Sequence, residues 1–93
     1  MAYLIEILND EPRGTRWRPY RASASVQSPP VTCETRDEVL DAYRRVLCRG
    51  IGAARAVSGR RTVSMACLNH DGTMTVADIG RGWEVLPVEG GGQ

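Results

Sequence analysis

Lysine and phenylalanine are both missing from this chain of 93 residues, so its basic charge rests on twelve arginines. Codons for lysine and phenylalanine are AT-rich and those for arginine and alanine GC-rich, which points to a high-GC genome, bacterial or that of a mobile element. Arginine still carries its own chemistry, a planar fork of donors that an ammonium does not offer. Histidine occurs once, at His70. It stands beside Asp71 in a turn-forming run, and a solvated residue there is poorly placed to act as a preorganised base. No set of nucleophile, base and orienting group can be built around it, so the chain is expected not to be an enzyme. No apolar run approaches the ~18 residues that cross a bilayer, and no charged-then-apolar leader is expected.

The three cysteines, Cys33, Cys48 and Cys67, contain no C-x-x-C pair, and a reducing cytoplasm is the expected compartment. A predicted helix places Cys33 and Cys48 roughly 20 Å apart at 1.5 Å per residue, too far for one tetrahedral site. Cys67 and His70 alone make half a zinc site, so neither metal nor cofactor is expected. "GIGAAR" starts like a dinucleotide-binding loop, but Arg55 replaces the third glycine and the run follows a helix where the motif needs a strand.

What the chain does contain is ordinary for a folded protein, with 42% hydrophobic and 25% charged residues. Its length allows one domain, taken as residues 1–87, with 88–93 as a flexible tail. "YLIEIL" alternates with period two and predicts a strand, and "YRASASV" predicts its hairpin partner. Thr35 followed by Glu38 has the capping-box form. Val39, Ala42, Tyr43, Val46 and Leu47 then recur at helical spacing until Gly50, predicting a helix over 36–49. "GIGAARAVSG" is expected to be a connection. "RTVSMACL" and "TMTVADI" alternate around the turn-forming "NHDG" and predict a second hairpin, and "WEVLP" predicts a short last strand.

These elements predict an α+β fold of two layers, an antiparallel sheet of four to five strands with one long helix on one face, in the order β-β-α-β-β-β. The helix-facing side is expected to carry Tyr3, Ile5, Ile7, Tyr20, Ala22, Ala24, Val26, Val63, Met65, Cys67, Met74, Val76, Trp83 and Val85. The opposite side is expected to be rich in hydroxyls, with Ser23, Ser25, Thr62, Ser64, Thr73 and Thr75.

Charge is uneven along the chain. Residues 12–61 hold eleven arginines against Glu34, Asp37, Glu38 and Asp41, while both ends are acidic. A basic middle can attract an acidic partner, or it can be matched within the fold by strands from the ends. The densest run, "RGTRWRPYR", sets Arg13, Arg16, Arg18 and Arg21 beside Trp17 and Tyr20, and Arg60 with Arg61 could extend it. The leading expectation is a small non-enzymatic interaction module that docks an acidic protein surface through this hairpin. Its size and composition suit an inhibitor of mobile-element type, of the anti-CRISPR kind that phages direct at host nucleases. The alternative is an accessory nucleic-acid-binding protein using the same basic residues. No membrane is expected as a partner, and an edge strand could join two copies.

Overall fold

A computed structural model describes residues 2–11, 14–21 and 28–88. The described residues form seven strands and one helix: β1 (Tyr3–Glu11), β2 (Gly14–Pro19), β3 (Thr32–Cys33), α1 (Arg36–Leu47), β4 (Ala53–Ser58), β5 (Arg61–Leu68), β6 (Thr73–Asp78) and β7 (Gly82–Pro87). All pair antiparallel in one sheet of order β2-β1-β4-β5-β6-β7, and β3 joins the early part of β1. The α+β class and the single long helix are as expected, with more strands than expected.

The helix forms for the reasons its sequence offers. Thr35, in extended backbone, accepts from the N–H of Glu38 and opens it. Asp37 and Glu38 in its first turn and Arg44 and Arg45 in its last complement the helix dipole. Val39, Leu40, Ala42, Tyr43, Val46 and Leu47 are all buried against the sheet. Each fully buried aliphatic side chain of this size stabilises by about 1.5–3 kcal/mol.

The connection expected at "GIGAARAVSG" is β4, which lies in the middle of the sheet. Its alternation is written in small residues, and Ala54 and Ala56 lie fully buried. Alanine has little strand propensity of its own. Here it lets the helix, with Tyr43, settle close to the central strands.

Two strands are turned over relative to expectation. In β5, Ala56 pairs with Ser64 and Val57 with Thr62, so Val63 is an extra residue, a bulge. Val63 packs on the core as expected. Beyond the bulge the phase shifts by one, so Ser64 and Ala66 point to the helix layer, Met65 is half-buried and Cys67 is exposed. In β7, Trp83 and Val85, expected inside, are 72% and 50% exposed. The inward positions belong to Glu84, Leu86 and Val88. Val88 is buried and donates to the Gly72 carbonyl, so the packed chain runs through it.

The second strand is also displaced. The arginine-rich stretch itself is β2, with Trp17 opposite Leu8 and Arg18 opposite Ile7. Tyr20 follows it into the core, and Arg21 forms an isolated bridge with Pro30. The expected inward residues Ala22, Ala24 and Val26, and Ser23 and Ser25 of the other face, lie outside the described residues, as do 89–93 of the expected tail.

Candidate functional site

The helix layer covers one face of the sheet, and no described element covers the other. The strand register builds that uncovered face row by row. One row crosses six strands: Pro19, Glu6, Arg55, Met65, Ala77 and Trp83. The next runs through Ala53, Cys67, Thr75 and Val85. At about 4.8 Å between strands the first row spans roughly 24 Å. It is largely apolar, whereas a sheet face turned only to water would carry mostly polar side chains.

Among the described side chains, its one charged cluster is closed on itself. Arg55 donates from Nε to Glu6 Oε1 at 2.7 Å. The same guanidinium lies 4.3 Å from the centre of the Trp17 ring. Stacking and ion pairing together fix the fork of Arg55 in one orientation and leave Trp17 half-buried beneath it. The cluster therefore presents a flat, neutral platform.

The expected binding residues do not form one surface. Arg16 and Arg18 are exposed on β2 but alternate with Trp17, so their Cβ atoms leave the sheet on the opposite side. Tyr20 is buried. Arg21 is exposed and donates to the Ser28 carbonyl. Arg60 and Arg61 stand at the β4–β5 turn, near the end of the sheet where β1 begins, because Val57 pairs with Leu4. Arg16 pairs with Asn9, five residues further along β1, or roughly 17 Å at 3.3 Å per residue. Arg60 and Arg61 thus do not extend the β2 arginines. Arg13 lies outside the described residues.

Two arginines of the basic middle are matched by carboxylates from the acidic ends. Arg55 takes Glu6 from the acidic start. Arg36 takes Asp78 at 2.8 Å and also Glu84, both from the acidic end. A cavity of about 230 Å³ on the helix side is lined by Tyr3, Arg36, Val63, Ser64, Asp78 and Arg81 among others, and its Arg36 is held by these carboxylates. Below it, Tyr43 Oη and Ser64 Oγ are buried without a hydrogen-bond partner. Tyr43 faces Ser64 and the Ala56 backbone without reaching bonding geometry, and burial pushes its pKa up to about 12.

Among the described residues, no group of three His, Cys, Asp or Glu side chains is placed to hold a metal ion. Cys33 is buried before the helix, and burial raises its pKa. Cys48 is exposed at the helix end, its Sγ donating to the Arg45 carbonyl. His70 is exposed in the β5–β6 turn. That turn is held by Asp71, which accepts from the Thr73 N–H and hydroxyl and is thereby kept below the usual carboxylate pKa. No described helix is long and apolar enough to cross a membrane.

Glu6, Arg55, Met65, Trp83 and Val85 are the residues that sequence reasoning missed. One signal was present: Arg55 is a lone charge inside "AARAV", and a charge within an apolar strand requires a partner. No protein-family model, curated protein or solved structure matches the chain.

Proposed function

We propose that this chain is a non-enzymatic protein-interaction module that docks a partner on the uncovered face of its sheet. The observation that carries the reading is the six-strand row from Pro19 to Trp83, apolar apart from the closed Glu6–Arg55 pair. The matching partner is a protein surface with an apolar centre, such as the apolar side of a helix, laid across the sheet as a second layer. Trp17, with its ring held by Arg55, is a pre-ordered anchor of the type that dominates interface energies. The binding-module class expected from composition is kept, and its surface moves from the arginine hairpin to the sheet face. A phosphate backbone is a poorer match, because the face's described charges, Glu6 and Arg55, neutralise each other and affinity for nucleic acid rests on cations placed against phosphates.

The test compares surface variants in capture from host lysate treated with nuclease. Trp17→Ala and Met65→Asp should each lose the same captured protein while remaining cooperatively folded, with the thermal midpoint lowered by no more than about 4–8 °C, the shift expected of roughly 1 kcal/mol. Arg60→Glu with Arg61→Glu should retain it. Retention by Met65→Asp, or binding that disappears with nuclease, would overturn the reading.

A further inference from the structure

The sheet ends in two edge strands that are built differently. From the Tyr20 N–H to Ile5 carbonyl bond and the alternation of antiparallel ladders, Thr15 and Trp17 turn their backbone groups outward on β2. That edge is flanked by Arg16 and Arg18 and ends in Pro19. Charge and proline are the usual means of keeping an edge from pairing. On β7, the Val88 N–H bonds to Gly72, so by the same alternation Trp83 and Val85 turn their N–H and C=O groups outward. No lysine or arginine lies in β7, and its terminal Pro87, unlike the arginines of β2, leaves the outward groups of Trp83 and Val85 unguarded. Its side chains at those two positions are large, apolar and exposed. Among the described residues, no strand pairs with this outer edge.

We infer that β7 pairs antiparallel with β7 of a second copy of this chain, with the two-fold axis at Glu84. In that register each outward N–H and C=O of Trp83 meets those of Val85 in the other copy, making four new backbone bonds. The open faces then continue from one copy into the next, with each Trp83 ring beside a Val85 side chain. A centre at Val85 would use the Pro87 carbonyl, which already accepts from Arg44 Nε at 3.2 Å. The Glu84 carboxylates meet at the axis on the helix side, and each arrives held by its own Arg36, which offsets a repulsion that otherwise opposes like charges across a ladder. The contact is short, so the dimer is weak and concentration-dependent. It rests on the backbone edge and is independent of what docks on the sheet face.

Sedimentation of the full chain tests this. The wild type should move from monomer toward dimer as its concentration rises to roughly 100 μM, the range expected of a small interface. Val85→Pro removes an outward N–H without touching the β6 ladder. It should stay monomeric over the same range, with its thermal midpoint close to that of dilute wild type. As a second measurement, Glu84→Cys in a Cys48→Ser, Cys67→Ser background should form an intermolecular disulfide on mild oxidation, whereas Gly82→Cys in that background should not, since two copies of residue 82 lie about four residues apart along the paired strands. A wild type monomeric throughout, or a dimer that survives Val85→Pro, would overturn the inference, as would equal cross-linking at 82 and 84. Loss of partner capture by Trp17→Ala would be unaffected by either result.

Discussion

On the helix side the sheet sets alanines at its centre, Ala54, Ala56 and Ala66, with Ile5, Met74 and Val76 beside them. On the uncovered side it sets Trp17, Met65, Trp83 and Val85. Both tryptophans thus stand where no described element covers them. Small residues on the covered side let the helix fill the layer, so stability comes from the helix packing onto alanine strands. The apolar surface on the other side lies outside that packing, and under the proposed function it is contact area for another molecule. On the proposed reading, the two faces of one sheet divide folding from binding.

The largest test of that division is Tyr43→Ala, which should cost about 3–5 kcal/mol in chemical denaturation, as for other buried aromatic truncations. A cost below ~0.5 kcal/mol would break the comparison at its covered side. Next in size is a pH effect from the same residue. Its hydroxyl ionises near 10 when unfolded and at about 12 in the fold. Unfolding above pH 10 therefore releases a proton, and the stability present below pH 10 falls as the pH rises through 12. The loss approaches about 2–3 kcal/mol, and Tyr43→Phe should flatten that part of the stability–pH curve. Last and smallest, Trp83→Ala and Cys67→Ser on the open face should each change the monomer's stability by less than ~0.5 kcal/mol. If either costs as much as a core substitution, the open face belongs to the core and the division fails.

The helix was legible because its cap, its periodicity and its stop all agree locally, from Thr35 to Gly50. β1 and β6 were legible because each alternates without interruption. β4 was not, since alanine and glycine carry no strand signal and only the sheet around it makes it a strand. The open face was lost for a related reason. A single bulged residue, Val63, reverses the phase of β5, and Glu84 takes a place on the helix side of β7, where it pairs with Arg36, 48 residues earlier. The site depends on pairings across long stretches of chain, such as Glu6 with Arg55, and local pattern does not carry those.

The order in which the chain takes shape follows from these long-range pairings. β4 to β7 form a meander in which each strand pairs with the next, whereas β1 pairs with β4 through Leu4 and Val57. Contacts between distant residues are slow to form because a long loop must close before they are made. Synthesis also runs from the first strand to the last. "YLIEIL" therefore leaves the ribosome well before its central neighbour exists, and its apolar residues must wait, paired with β2 and β3, until some fifty further residues have emerged.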